Sequence, residues 1–302
     1  MGIQYSGGPI VNTTFTATTR LSIVDNLKNQ LVNANWVATG SSGDWVVTSA
    51  STPQSLQACV RLYDPGSGNC ARITVRNAGG SLQGTSAYLW VYPSGNDYRI
   101  ICNPYQFFLM EDNAPTATNR RDFAAVGTPW VPTFPAITEC IWSSSRCWDD
   151  STNANFASLR QRLTNAVSGL SNSGNYVTIL NGSMQQIASA ALSNDPGLLS
   201  LRVGANSDIC ADSINASPRG GTTWFDGTIL MDTPYVCFSQ GDATTDAATI
   251  NGVMWDAVVV ESSYNYGDTF TFDSKTWFAI THNNTPASSN SNLGGTLFVR
   301  TT

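Results

Sequence analysis

From Trp36 to Glu111 apolar and polar residues alternate with a period of two, interrupted by clusters of Gly, Pro, Asn and Asp. Alternation puts successive side chains on opposite faces of a strand, and turn formers at regular spacing fold such strands back on one another. The pattern predicts antiparallel strands near Trp45 to Ser49, Leu56 to Tyr63, Cys70 to Asn77, Ala87 to Tyr92, Tyr98 to Cys102 and Tyr105 to Glu111. The hairpin turns fall at Asp64-Pro65-Gly66-Ser67-Gly68-Asn69 and Pro93-Ser94-Gly95-Asn96-Asp97, both rich in residues that accept positive φ.

Before this stretch, Thr18 or Thr19 supplies an N-cap, and Ile23, Val24, Leu27 and Leu31 share one face of an amphipathic helix ending near Asn33. That helix is expected to pack on the sheet. Residues 1–16 are polar and aperiodic and read as an extended arm of the kind that reaches a neighbouring subunit. Residues 17–113 then form a helix plus antiparallel β domain. Residues 114–135, with Pro115, Pro129, Pro132 and Pro135, read as a connection.

Residues 136–302 read as a second β-rich domain with helical insertions. Phe156, Leu159, Leu163, Val167 and Leu170 recur near helical spacing over Ala154 to Leu170, with Arg160 and Arg162 on the polar face. A shorter helix is expected from Met184 to Leu192, stopped by Asn194-Asp195-Pro196. Strands return around Thr228 to Met231, Tyr235 to Ser239, Val253 to Glu261, Thr269 to Phe272, Thr276 to Thr281 and Thr296 to Arg300. The expected class is α+β, mainly antiparallel β, in two β-rich domains each with one or two packed helices. A chain of 302 residues is long enough for that. No fixed-period repeat points to a solenoid or propeller.

Charged residues make up only 12% of the chain, about half the usual share, and Ser, Thr, Asn and Gly take their place. Uncharged polar surface is cheaper to desolvate than charged surface, which suits protein–protein assembly and also extracellular β-rich proteins and adhesins. The 15 basic and 21 acidic residues leave a net charge of −6, and no basic cluster exceeds Arg120-Arg121. Direct binding to a nucleic-acid backbone or to an anionic membrane surface is therefore not expected. No apolar run approaches a bilayer span, and the start MGIQYSGGPIVNTTF lacks a basic region followed by an apolar one, so Sec export is not expected. Met1-Gly2 with Ser6 matches a myristoylation start only weakly.

Seven cysteines, Cys59, Cys70, Cys102, Cys140, Cys147, Cys210 and Cys237, include no CxxC pair, and His282 is the one histidine, so no metal site is assigned. Cys59 with Cys70, and Cys140 with Cys147, flank short segments that could bring them to bridging distance. A reducing cytosol favours the other reading, small buried hydrophobes, with later oxidation open to a particle that matures outside the cell. His282, in Thr281-His282-Asn283-Asn284-Thr285-Pro286, reads as a solvated loop residue. No GxSxG elbow, P-loop, GxGxxG or EF-hand pattern occurs, and Asp242 and Asp246 lack the remaining calcium ligands.

Acid pairs for glycoside hydrolysis would come from Asp149-Asp150, Glu111-Asp112, or Asp226 with Asp232. Adjacent acids in turns are ordinarily exposed turn formers. Trp142, Trp148 and Trp224 near acids would suit sugar stacking, but aromatics beside Pro and Cys more often fill a small core. No catalytic, cofactor-binding or metal-binding residue is assigned.

The segment Arg99-Ile100-Ile101-Cys102-Asn103-Pro104-Tyr105-Gln106-Phe107-Phe108, followed by Gly127-Thr128-Pro129-Trp130-Val131-Pro132, resembles a pattern in uncharacterised structural proteins of tailed bacteriophages. Ile250-Asn251-Gly252-Val253-Met254-Trp255-Asp256-Ala257 and Phe272-Asp273-Ser274-Lys275-Thr276-Trp277-Phe278-Ala279-Ile280-Thr281 resemble the same group. In physical terms Asn103-Pro104 breaks a strand and forces a corner, while Tyr105, Phe107 and Phe108 supply large apolar contacts. The resemblance implies a non-enzymatic subunit of the neck, tail or baseplate. Its expected partners are other virion structural proteins and copies of itself in a symmetric ring, and its expected location is the virion after synthesis in the bacterial cytoplasm. A receptor- or carbohydrate-binding tail module is the alternative, followed by a cell-wall or polysaccharide hydrolase.

Overall fold

A computed structural model of the chain describes residues 3–68, 70–76, 87–91, 93, 97–112, 123–128, 130, 140–146, 159–163, 176–181, 186–191, 224–225, 230–232, 235–238, 249–260, 266–280 and 296–302; from 140 to 252 the description is of backbone pairing. In chain order the elements are β1 (Val11–Thr16), α1 (Arg20–Asn33), β2 (Val37–Ser41), β3 (Asp44–Thr48), β4 (Cys59–Tyr63), β5 (Ala71–Arg76), β6 (Ala87–Val91), β7 (Asp97–Cys102), β8 (Gln106–Glu111) and β9 (Phe123–Gly127). They continue with β10 (Cys140–Arg146), β11 (Leu159–Leu163), β12 (Tyr176–Asn181), β13 (Gln186–Ala191), β14 (Trp224–Phe225), β15 (Leu230–Asp232), β16 (Tyr235–Phe238), β17 (Thr249–Val253), β18 (Ala257–Val260), β19 (Thr269–Phe272), β20 (Lys275–Ala279) and β21 (Thr296–Arg300). Every strand pair is antiparallel, so among the described residues the chain is mostly antiparallel sheet with a single helix.

The strands form a seven-stranded sheet ordered β1-β7-β8-β9-β10-β12-β13 and a six-stranded sheet ordered β11-β6-β5-β4-β3-β2. A second six-stranded sheet runs β14-β15-β18-β21-β20-β19, and β16 pairs with β17. Helix α1 lies against β3, β4 and β5 of one sheet and β1 and β7 of another. Its buried Ile23, Val24, Leu27 and Leu31 enter a core with Val60, Leu62, Ile73, Tyr98, Ile100 and Phe107. Helical spacing therefore placed the apolar stripe correctly, and tertiary burial holds the helix more than its propensity does. A separate cluster joins Val258, Val260, Trp277, Ala279 and Phe298, with Ile3, Tyr5, Phe270 and Phe272 packed against it.

Thr19 is the N-cap. Its hydroxyl accepts from the Ser22 N–H at 3.0 Å, and Ser22 Oγ accepts from the Thr19 N–H at 3.1 Å, a reciprocal capping box. Thr19→Ala removes that acceptor and is expected to lower stability by about 1 kcal/mol, read from the denaturant midpoint.

Asp25, on α1, fastens the helix to the β2–β3 turn by accepting from Ser42 Oγ at 2.5 Å, Trp45 Nε1 at 2.7 Å and the Gly43 N–H at 3.3 Å. Burial opposes its charge, yet the Ser42, Trp45 and Gly43 donors outweigh burial and hold its carboxyl below the ordinary range. A folded-state value below the unfolded one means stability present above the unfolded value and lost as pH falls through the folded one. Acid titration of unfolding should therefore show a loss in that window that is smaller in Asp25→Ala.

Several expectations change. Residues 11–16 of the supposed arm are β1, in register with β7 from Val11 opposite Cys102 to Thr16 opposite Asp97. The segment Val-Asn-Thr-Thr-Phe-Thr alternates as a strand does, with Val11, Thr13 and Phe15 the less exposed set. Within the expected helix at 154–170, residues 159–163 are instead β11, paired with β6. Leu159, Gln161 and Leu163 alternate with Arg160 and Arg162, so five residues satisfy both periods and long-range pairing decides between them. Within the expected helix at 184–192, residues 186–191 are β13, hydrogen-bonded to β12, another case of pairing overriding the helix propensity of alanine. In the segment read as a connection, β9 lies between β8 and β10 in the seven-stranded sheet. One expectation is kept: Cys59, Cys70 and Cys102 are buried free thiols, as the reading of them as small buried hydrophobes has it, and the alternative Cys59–Cys70 bridge is not formed.

Candidate functional site

The site is built on the corner at Asn103-Pro104, between β7 and β8. Asn103 Oδ1 accepts from the Tyr105 N–H at 2.8 Å and the Gln106 N–H at 2.9 Å, and the Asn103 carbonyl accepts from Trp36 Nε1 at 2.8 Å. A short polar side chain that satisfies its own following backbone is what makes such a corner rigid. With those groups engaged, Asn103 Nδ2 is left to donate to Asp256 Oδ2 at 2.9 Å.

Asp256 is fully buried and has φ of +48, a conformation Asp tolerates better than most residues. Its carboxylate accepts from the Ser6 N–H at 3.3 Å and faces Arg300 Nη1 at 3.2 Å, the two side chains being 1% and 9% exposed. Its backbone N–H donates to the Gln4 carbonyl at 2.7 Å, and its carbonyl accepts from the Arg300 N–H at 2.9 Å. One residue thus ties the N-terminal segment, the Asn103 corner and β21.

Gln106 adds a second clasp. Its amide Nε2 donates to the Trp255 carbonyl and its Oε1 accepts from the Trp255 N–H at 3.3 Å, so the side chain mimics a strand across to residue 255. Beside it, Tyr105 packs on Trp255 with ring centroids 4.6 Å apart. The Gly127 backbone approaches Gln106 so closely that a Cβ would overlap the Gln106 side chain, which explains glycine there. Tyr5 closes the outside, its hydroxyl donating to Asp273 Oδ2 at 3.0 Å and its ring 4.3 Å from Lys275 Nζ and 5.3 Å from the Arg300 guanidinium.

Burial pushes the Asp256 carboxyl above its ordinary range, against the pull of Arg300, Ser6 and Asn103. Burial, reinforced by Asp273, also raises the Tyr5 phenol. The crevice beside Asn103 and Arg300, lined also by Ile101, Cys102, Phe108 and Val299, is packed too tightly to admit a water molecule. Chemically the arrangement can hold chain segments together. It offers no space for a substrate.

The segments singled out for their resemblance meet at this node: Asn103 and Gln106 from one, Trp255 and Asp256 from another. The Asn103 corner was expected from the sequence. Its pairing with Asp256, and the parts of Arg300, Ser6 and Tyr5, were not. The available signal was a lone acid, Asp256, between Val253-Met254-Trp255 and Ala257-Val258-Val259-Val260, since an acid inside an apolar run needs a buried partner.

Of the sugar-site and catalytic candidates, Asp112 is engaged with Arg99 Nη2 at 3.0 Å and accepts from the Tyr266 hydroxyl at 2.7 Å. Trp142, Cys140, Trp224, Asp232 and Cys237 fall on strands described by backbone pairing, and Glu111 lies on β8. His282, Asp149, Asp150, Trp148, Asp226, Asp242, Asp246, Cys147 and Cys210 lie outside the described residues. Among the described residues no group of three or more His, Cys, Asp or Glu side chains could hold a metal, and no helix is long and apolar enough to cross a membrane. No protein-family model matches the chain, and neither does any curated protein sequence.

Proposed function

We propose that this chain is a non-enzymatic structural subunit of a tailed-bacteriophage particle, acting in the neck, tail or baseplate through contacts with other virion proteins and with copies of itself in a symmetric ring. The observation that carries the reading is the Asp256 node. The segments that resemble phage structural proteins converge there, and their polar groups are spent on binding one part of the chain to another. A subunit that must keep its shape while its surfaces are engaged gains from such a lock, because a satisfied buried network fixes one arrangement.

In this reading the node fixes the N-terminal segment, the Asn103 corner and β21 in one arrangement. The uncharged polar surface is then an assembly surface, and the protein resides in the virion after synthesis in the host cytoplasm. The test is peptide mass spectrometry and antibody-labelled electron microscopy of purified particles. The expected result is a reproducible copy number and a signal at one position on the head-to-tail axis. Absence from particles overturns the reading, as does a monomer that binds defined oligosaccharides or degrades capsule or peptidoglycan.

A further inference from the structure

Strand β2 ends its six-stranded sheet. Monomeric proteins blunt such edges with Lys, Pro or bulges, because an open row of N–H and C=O groups invites another strand. Here the edge sequence is Val-Ala-Thr-Gly-Ser, and the charges lie on the inner strands instead, at Asp44, Arg61 and Arg72. A second observation falls at the same place. Among the described residues the exposed large hydrophobics are Leu21, Val32 and Val37, at 45%, 43% and 66%. Val37 begins β2, and Val32 sits in the last turn of α1 just before it. Leu21 abuts the turn that follows β2, where a Cβ on Gly43 would lie 3.2 Å from Leu21 Cδ1.

We propose that β2 pairs antiparallel with β2 of a second copy of this chain, about a two-fold axis at Thr39. The inference rests on the reading of the chain as an assembly subunit and names one of its contacts. In that register Thr39 faces Thr39 of the partner subunit, and Val37 faces Ser41 of the partner subunit, so no like charges oppose one another. Reversal of direction brings the Val32 end of α1 in one copy towards the Leu21 end of α1 in the other, on the face to which Ala38 points, while Val37 lies on the opposite face beside uncharged side chains. Nearby charges are engaged within the chain: Asp25 by Ser42 and Trp45, Asp44 by Arg61, and Lys28 over the Trp45 ring at 4.6 Å. A partner recognised by charge has little to grip here. The self-complementary pattern favours a second copy.

The experiment uses the full chain. Thr39→Cys, treated with oxidised glutathione, should yield a disulfide-linked dimer on a non-reducing gel that is missing from wild type treated alike. Thr39→Lys sets two ammonium groups against each other and should raise the dissociation constant of the self-associated species at least about tenfold in mass photometry. The near-isosteric Thr39→Cys keeps the test decisive if Thr39→Lys misfolds. No covalent dimer, or self-association unchanged by Thr39→Lys, overturns the β2 contact. A gel-shifting complex with a different virion protein that masks the introduced thiol from glutathione also overturns it. Absence of the chain from particles instead overturns the assembly reading, whatever β2 does.

Discussion

Asp256→Asn is expected to lower the unfolding free energy by about 1–3 kcal/mol, because its Nδ2 replaces one of the two oxygens that accept from Asn103 Nδ2, the Ser6 N–H and Arg300 Nη1, and a buried donor is left without an acceptor. Asparagine tolerates the φ of +48, so the change removes charge with little change of shape. The measurement is the urea midpoint and slope of wild type and variant. A second substitution, Arg300→Met, should recover much of the loss, since replacing both members of a buried pair by uncharged groups is often near neutral. A shift in the single variant of less than about 1 kcal/mol would mean that the pair contributes no more than an exposed one.

The same residue predicts a pH dependence of definite sign. Burial raises the Asp256 carboxyl in the folded chain above its unfolded value. The folded state then binds that proton more tightly, and the contribution is complete below the unfolded value and lost as pH rises through the raised one. Asp25 acts in the opposite sense and at lower pH. Comparing stability against pH for wild type and Asp256→Asn isolates the upper limb, which should flatten in the variant.

Trp277→Ala is expected to cost about 3–5 kcal/mol, the range for removing a large aromatic from a core that cannot collapse around the gap. Trp277 is fully buried, lies near-parallel to Phe270 with centroids 6.3 Å apart, touches Tyr5 at the same distance, and donates through Nε1 to the Phe272 carbonyl at 3.3 Å. The cavity would also remove the surface on which Tyr5 rests, so the N-terminal segment should loosen with it. Amide exchange can follow this directly. The Ser6 N–H, bound to Asp256, should exchange faster in Trp277→Ala while amides of α1 keep their protection relative to global stability. Equal protection of Ser6 in both proteins would show that Tyr5 is held by its hydroxyl and cation contacts alone.

What the sequence disclosed about the fold follows physical lines. Strands β3 to β8 and helix α1 were legible because period and turn chemistry agree over consecutive residues, as at Asp64-Pro65-Gly66 between β4 and β5. β11 and β13 were misread because a five- or six-residue segment is too short for period to decide, and their partners are distant or depend on pairing that no local pattern encodes. β2 was passed over because Val-Ala-Thr-Gly-Ser is nearly all exposed and has no apolar face to announce it. In the site, the Asn103-Pro104 corner was visible as local chemistry. Its link to Asp256 spans 153 residues of sequence, and such a contact leaves in each segment only an isolated polar residue among apolar ones.

The central claim is that this chain is built to be a subunit. Mass photometry of the purified full-length protein across a concentration series tests it most directly, with negative-stain images of the same sample. The expected result is a discrete multimer of closed symmetry that dissociates on dilution without unfolding. A species that stays at 32.3 kDa at every concentration, and binds a defined oligosaccharide in that state, would contradict it.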